Sequence, residues 1–163
     1  MDKKLDFEDF LKMKVIKKIP ETERKSYLSF HEKIWKEDCN TSKFLIKRSP
    51  RWAVIAGYYA MHNLAKYFLA KKFNLKISGK FVHAATIEAL RKFLKEEDIV
   101  HRLEKAKKFL PLEELPEFLE LGRRERAKSQ YYIGRPIRIS IKEAKWFFSE
   151  IVEPFIKSMV KLL

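Results

Sequence analysis

The residues best suited to chemistry lie close together around position 125. A run of basic side chains is followed there by an amide and two phenols; these residues are Arg123, Arg124, Arg126, Lys128, Gln130, Tyr131 and Tyr132. Guanidinium and ammonium groups bind phosphates, and aromatic rings stack on bases, which is the usual chemistry of contact with single-stranded nucleic acid. The segment therefore predicts a binding site for RNA or for the phosphates of a nucleotide.

A helix must position these side chains. The spacing of apolar residues predicts an amphipathic helix that begins near Pro116 and is ended by Gly134. Side chains three and four residues apart lie on one face of a helix. One face then carries Arg123, Arg126 and Gln130, and the neighbouring face carries Arg124, Lys128 and Tyr131. The alternative interpretation is a solvated cationic face beside two core tyrosines.

The formal net charge of +14 predicts a polyanionic partner, and this charge is sorted along the chain. No Asp or Glu occurs from Cys39 to Ile87, where the cations are Lys43, Lys47, Arg48, Arg51, Lys66, Lys71, Lys72, Lys76 and Lys80. A second basic cluster runs from Arg123 to Lys142. The sorting predicts one basic face. The alternative is the lysine-rich surface of a heat-adapted protein without such a ligand, and the presence of only one Gln and three Asn also indicates heat adaptation.

Length and composition predict a single soluble domain over residues 1–163, with a capping segment over 1–20 and a helical bundle over 21–163. No apolar run approaches the roughly 20 residues needed to cross a bilayer, so no membrane association is expected. The polar first residues do not resemble the apolar core of a signal peptide, which predicts a cytoplasmic protein. The single Cys39 and four scattered histidines lack metal-ligand spacing, so neither a metal nor a cofactor is expected.

Apolar periodicity predicts an all-α fold. Helices are expected over 5–19, after Pro20 with an interruption near Cys39, from Ser49-Pro50 to about Phe73, from His83 to Leu94, around His101, and from a capping box at Ser140 to the C-terminus. We expect Phe44 to lie on an apolar face, Ser49 to cap the third helix, and Pro154 to bend the last helix without ending it. Residues 74–82 are predicted to form a loop, and no strand alternation is found.

Four segments follow one another in an informative order: Lys14–Pro20, Tyr58–Ala65, His83–Leu90 and Arg123–Tyr132. Together they resemble the HEPN superfamily (higher eukaryotes and prokaryotes nucleotide-binding), over nearly the whole chain. The resemblance implies an up-and-down bundle of four to five main helices with a short N-terminal helix, and frequent homodimers whose motif helices face each other across a groove. It also implies two activities, namely metal-independent RNA cleavage and partnership with a minimal nucleotidyltransferase.

The catalytic signature of that superfamily is an Arg, four to six intervening residues, a His, and often a Tyr two positions later. Arg124 and Tyr132 match its ends, with five residues between Arg124 and Gln130, but Gln130 stands in place of the His. An imidazole exchanges a proton near neutral pH and so helps a ribose 2′-hydroxyl attack its phosphate, whereas an amide only donates and accepts hydrogen bonds. The degenerate Arg-x5-Gln-x-Tyr motif therefore predicts RNA or nucleotide binding without efficient RNA cleavage.

Two alternatives stay open. The first is a metal-independent endoribonuclease, with Arg124, Gln130 and His62 as catalytic candidates and His83 as a further histidine in the groove. A lone histidine inside a helix, such as His62, is more often a hydrogen-bonded core residue. The second is a partner subunit of a minimal nucleotidyltransferase, as in toxin–antitoxin pairs, in which Tyr132 would be the residue modified.

Overall fold

The structure is a computed structural model that describes residues 5–94, 97–109 and 139–163. The described chain is predominantly helical and contains one two-stranded sheet, which confirms the predicted all-α class. Its elements are α1 (Phe7–Lys12), β1 (Ile16–Lys18), α2 (Glu21–Leu45), α3 (Pro50–Phe73), β2 (Leu75–Ile77), α4 (Val82–Phe93), α5 (Glu97–Phe109), α6 (Ile141–Phe147), a π-helical turn (Phe148–Val152) and α7 (Glu153–Lys161). No helix of the described ranges is long and apolar enough to cross a membrane.

Helices α2 and α3 form an antiparallel hairpin. Asn63 Nδ2 donates to Asp38 Oδ2 at 3.0 Å, and Ser42 Oγ donates to the carbonyl of Ala53 at 2.7 Å, so the partner moves back along α3 as the chain advances along α2. Helix α2 is continuous to Leu45, without the predicted interruption near Cys39. Helix α3 is buried over most of its length and forms the centre of the core.

Gly57 marks the closest approach of other elements to α3. A Cβ placed there would lie 2.9 Å from Val152 Cγ2, 3.0 Å from Ser42 Oγ and 3.3 Å from Phe147 Cε1. These distances are shorter than ordinary van der Waals contact, so only a glycine lets the α2 side chain and the C-terminal helix pack at this level. The small-residue seam expected in α3 is therefore used for helix packing.

Two short strands replace part of the helix and part of the loop expected from the sequence. Strand β1 pairs antiparallel with β2, with Ile16 opposite Ile77 and Lys18 opposite Leu75. Helix α1 consequently ends at Lys12, well before the position 19 expected from the sequence. Each strand has only three residues, which is too few for period-two alternation to be recognised. Ile16 and Ile77 are nonetheless buried and join the core beside α3.

The C-terminal helical segment passes through Pro154 without ending, as predicted. Proline has no N–H to donate to the carbonyl four residues earlier, which belongs to Glu150. That carbonyl accepts a hydrogen bond from Arg102 Nη1 of α5 at 2.8 Å. The π-helical turn just before the proline and the arginine from α5 together accommodate it inside the helix.

Helix starts agree with the sequence at Ser140 and only partly at Ser49. Ser140 Oγ accepts from the Glu143 N–H at 3.2 Å, and Glu143 Oε2 accepts from the Ser140 N–H at 2.7 Å, which confirms the predicted capping box. Helix α3 starts at Pro50 as expected, but the Ser49 side chain makes no capping hydrogen bond. Ser49 has φ −150° and ψ 78°, which differs from the usual ψ of a capping residue in the β region.

Candidate functional site

The predicted motif lies outside the described residues. This applies to its cations, its amide and its two tyrosines, namely Arg123, Arg124, Arg126, Lys128, Gln130, Tyr131 and Tyr132, and to the predicted helix that begins near Pro116. The roles assigned to these residues from the sequence stay predictions. Two other groups of side chains are described in full: a set of buried histidines, and a basic surface at the connection between α2 and α3.

His62 is buried in α3 with 4% of its surface exposed. The Thr86 hydroxyl donates to the Val82 carbonyl at 2.8 Å and therefore accepts from His62 Nε2 at 3.1 Å, so this ring nitrogen carries the proton. Burial, with the neighbouring His83 as the next cause, holds the pKa of His62 well below its usual value. His62 is thus a neutral, hydrogen-bonded core residue in the structure.

His83 lies in the first turn of α4 and is partly exposed. Its Nδ1 is 2.7 Å from the hydroxyl of Tyr58, and its ring centre is 4.5 Å from that of His62. The Tyr58 and His62 rings are stacked at 6.0 Å, as residues four apart on one helix face. The sequence pattern could have placed Tyr58 beside His62, but only the packing of α4 on α3 brings His83 to them.

A second buried histidine, His31, is held by a chain of hydrogen bonds between α2 and α3. The Asn63 amide nitrogen donates to Asp38 Oδ2 at 3.0 Å, so its oxygen is the atom that faces His31 Nδ1 at 3.0 Å. His31 Nδ1 therefore carries the ring proton and donates it to Asn63. Burial first, and then the charge of Lys66, lowers the pKa of His31 to about 4. Sequence reasoning missed this chain, because its members are 25 and 32 residues apart.

Lys66 lies beside this chain, and its ammonium nitrogen is 5.7 Å from the centre of the Tyr27 ring. Within the described ranges, Lys66 has no carboxylate at ion-pair distance. Burial, with a smaller contribution from the charge of Lys76, lowers the pKa of Lys66 to about 8. The cation–π contact with Tyr27 offsets only part of the free energy that the ammonium group loses when it is partly removed from water. The charged form of Lys66 is therefore disfavoured.

The cations of the acid-free stretch lie mainly towards the two ends of α3, and the single basic face, which would include the cluster from Arg123 to Lys142, stays a prediction. Arg51 and Lys71 are separated by twenty residues of helix, or about 30 Å. The antiparallel hairpin lays the acid-containing part of α2 beside the distal end, where Lys76 forms an ion pair with Glu23. At the end that meets the connection, no described carboxylate forms an ion pair with Lys43, Lys47 or Arg48.

We call residues 43–52 at this connection the α2–α3 corner. Four cations lie in nine residues, namely Lys43, Lys47, Arg48 and Arg51. Of these, Lys43, Lys47 and Arg48 have no ion-pair partner among the residues that the structure describes. The corner therefore offers positive charge that no described carboxylate neutralises.

Two aromatic side chains are exposed within the corner: Phe44 is 60% exposed and Trp52 is 50% exposed. The guanidinium carbon of Arg48 is 4.2 Å from the centre of the Phe44 ring, and Arg48 Nη1 donates to the Phe44 carbonyl at 3.1 Å. The prediction that Phe44 lies on the apolar face of α2 is wrong, because this ring lies on the solvent-facing side of the helix, whereas the adjacent Leu45 and Ile46 are partly buried against the core. The sequence identified the cations of the corner but not these exposed rings.

Neither group is arranged as a metal site. Within the described ranges, no cluster of three or more His, Cys, Asp or Glu side chains could hold a metal ion. The first group presents the partly exposed imidazole of His83, and the α2–α3 corner presents cations and exposed rings suited to anions and aromatic ligands. Comparison of the chain with protein-family models, with curated proteins and with solved structures gives no match.

Proposed function

We propose that the protein binds RNA, or the phosphates of a nucleotide, and does not cleave RNA efficiently. The observation that carries this proposal is the α2–α3 corner, with four cations in nine residues and two exposed aromatic rings. A cation that is already paired must lose its partner before it binds a phosphate. Lys43, Lys47 and Arg48 have no ion-pair partner to lose among the described residues, so their charge is available to a polyanion.

The second basic element of the proposal is the motif segment. We assign phosphate binding to Arg123, Arg124, Arg126 and Lys128, hydrogen bonding to Gln130, and stacking to Tyr131 and Tyr132. Because the motif carries Gln130 where a proton-exchanging histidine would stand, it lacks a general acid or base. The arrangement proposed is a HEPN-like helical bundle that forms homodimers.

The experiment is an RNA-binding titration by fluorescence anisotropy at several salt concentrations between about 50 and 200 mM. Neutralised phosphates release counterions, so the logarithm of affinity should fall linearly with the logarithm of salt concentration. Lys43→Ala with Lys47→Ala should reduce that slope by about 1.4, as should Arg124→Ala with Arg126→Ala, because each contact to a single strand contributes about 0.7.

A charge-matched control is available on the same helix. Lys33 and Lys36 are exposed on α2 and pair with Glu37 at 3.7 Å and Glu32 at 3.0 Å. Lys33→Ala with Lys36→Ala removes the same two charges and should leave the salt dependence within error of the wild type. Binding that does not change with salt, or an equal loss in the control variant, would contradict the proposal.

A second candidate function is metal-independent RNA cleavage, and the observation that favours it is the partly exposed His83 beside Tyr58 and His62. Within this cluster His62 is enclosed in the core, so His83 is the member that a ribose hydroxyl could approach. End-labelled single-stranded RNA incubated with the protein in chelator should remain intact under the main proposal. Cleavage that is lost in His83→Ala would instead establish this second function.

Partnership with a minimal nucleotidyltransferase, and modification of Tyr132 by it, stays a prediction from the resemblance. Its test is mass spectrometry of the protein after co-expression with such an enzyme. Addition of a nucleotidyl group in the wild type, and its absence in Tyr132→Phe, is the expected result for this role.

A further inference from the structure

We infer that the α2–α3 corner binds single-stranded RNA by stacking unpaired bases on Trp52 and on the Phe44–Arg48 pair. This inference rests on the proposed function and specifies the substrate class of the same surface.

Both aromatic rings of the corner, Phe44 and Trp52, are exposed at one connection. Phe44 and Trp52 lie within one turn of the ends of α2 and α3, separated by the short segment 46–49. Each keeps half or more of its surface in contact with solvent. When an apolar or aromatic partner covers aromatic surface that was exposed to water, the free energy of the system decreases. Two such surfaces beside uncompensated cations favour a ligand that is both aromatic and anionic.

The Arg48 guanidinium is already positioned. It is held over the Phe44 ring at 4.2 Å by the cation–π contact and by the hydrogen bond from Nη1 to the Phe44 carbonyl. A flat guanidinium resting on an aromatic ring presents its other face to solvent, and bases stack on guanidinium planes as they do on aromatic rings. These two contacts favour one position of the Arg48 side chain, which reduces the entropic cost of binding a ligand there.

The cations alone do not distinguish a single strand from a duplex, because both expose phosphates. In a duplex the faces of the bases are stacked on one another and are closed to side chains. Unpaired bases have free faces. Stacking on aromatic side chains tolerates any sequence, because every base has an aromatic face. The rings of the corner therefore add affinity for single strands and add none for duplexes.

Phe30 provides a matched control on the same helix. It is 57% exposed, close to the exposure of Phe44, and its ring contacts His31 at 5.0 Å. The nearby part of α2 contains Glu32 and Glu37, each paired with a lysine. Phe30 thus has a similar exposed ring without uncompensated positive charge, and it should contribute nothing to RNA binding.

The experiment compares a labelled single-stranded RNA with a duplex of the same length, using wild type, Trp52→Ala, Trp52→Phe and Phe30→Ala. Trp52→Ala should weaken binding of the single strand by about 5- to 150-fold, the value of one stacked base. It should leave the salt slope and the affinity for the duplex unchanged. Trp52→Phe should retain most of the affinity and lose the quenching of tryptophan fluorescence that RNA causes in the wild type.

The outcomes separate this inference from the proposed function. Wild-type protein that binds neither RNA overturns both. Salt-dependent binding of single strands that Trp52→Ala does not weaken overturns only the stacking inference. An equal loss for the single strand and the duplex also overturns it, because that result indicates a structural role for Trp52. Thermal unfolding of each variant, compared with Phe30→Ala, confirms that the folded protein is being titrated.

Discussion

The guanidinium of Arg102 donates a hydrogen bond at 2.8 Å to the carbonyl of Glu150. This carbonyl receives no hydrogen bond from residue 154, because Pro154 has no backbone N–H. A proline inside a helix leaves an acceptor that costs free energy when it is buried without a donor. In this protein the donor comes from another helix. The proline and the arginine therefore depend on each other, although they are 52 residues apart in the sequence.

Arg102→Met should destabilise the fold by about 0.5–1.5 kcal/mol, the net contribution of one hydrogen bond, because Glu150 is exposed and water can replace the arginine at its carbonyl. In a Pro154→Ala background, the new N–H at position 154 can serve this carbonyl, so the same substitution should cost less. The measurement is a double-mutant cycle from urea unfolding. Asp98→Asn controls for the exposed ion pair that Arg102 also makes at 2.9 Å, and it should change stability little. Equal costs in both backgrounds would contradict the coupling.

Gly57→Ala should destabilise the protein by about 1–3 kcal/mol, because the added methyl group lies 2.9 Å from Val152 Cγ2 and 3.0 Å from Ser42 Oγ. Val152→Ala removes the nearest obstructing atom. The double variant should therefore lose less stability than the sum of the two single variants, as measured by thermal or urea unfolding. Additive losses would show that the C-terminal helix does not limit the space at Gly57.

His31 should make stability depend on pH between about 6.5 and 4. Its pKa is lowered to about 4 in the folded state and returns to about 6.5 on unfolding. The unfolded chain binds the proton first, so stability decreases as pH falls through this window. His31→Gln keeps a donor for Asn63 but does not titrate, and it should reduce the slope by up to about 1.4 kcal/mol per pH unit. Identical slopes for the variant and the wild type would be inconsistent with a buried neutral His31.

Lys66 should also make the stability of the fold increase with pH, in this case at alkaline pH. Its pKa is lowered to about 8 in the folded state, against about 10.5 in the unfolded chain. Stability should therefore rise as pH increases from about 8 to 10.5, because only the unfolded chain still binds the proton. Lys66→Met should be about 1–3 kcal/mol more stable than wild type at pH 7, and this advantage should disappear by about pH 10.5. A constant difference across the range would exclude a titrating Lys66.

Local signals in the sequence were sufficient for several elements. Ser140 and Glu143 place the start of α6, Pro50 places the start of α3, and Pro154 predicts an adapted helix, because each acts through backbone groups within a few residues. The all-α fold class was predicted from the periodicity of apolar residues alone. These predictions required no knowledge of which helix packs against which.

Long-range pairings were not predictable in this way. The chain from Asp38 through Asn63 to His31 depends on the register of two antiparallel helices, and the His83–Tyr58 contact depends on where α4 crosses α3. The exposure of Phe44 depends on which side of α2 packs against the core, and the residues on that side are the adjacent Leu45 and Ile46. In the candidate site, the sequence identified the cations of the corner, whereas the structure showed which of them have no described carboxylate partner.

The π-helical turn also sets the rotational phase of the C-terminal helix. Phe147, Ile151, Phe155 and Met159 are spaced four residues apart and are all almost completely buried. In a regular α-helix each four-residue step overshoots a full rotation by about 40°, so the last of these side chains would point about 120° away from the first. The wider turn from Phe148 to Val152 winds less per residue and takes back much of that drift. Deleting the exposed Ser149 would leave seven residues from Phe147 to Phe155 and eleven to Met159, so a regular α-helix would hold both side chains within about 20° of Phe147 and the core would no longer need the wider turn.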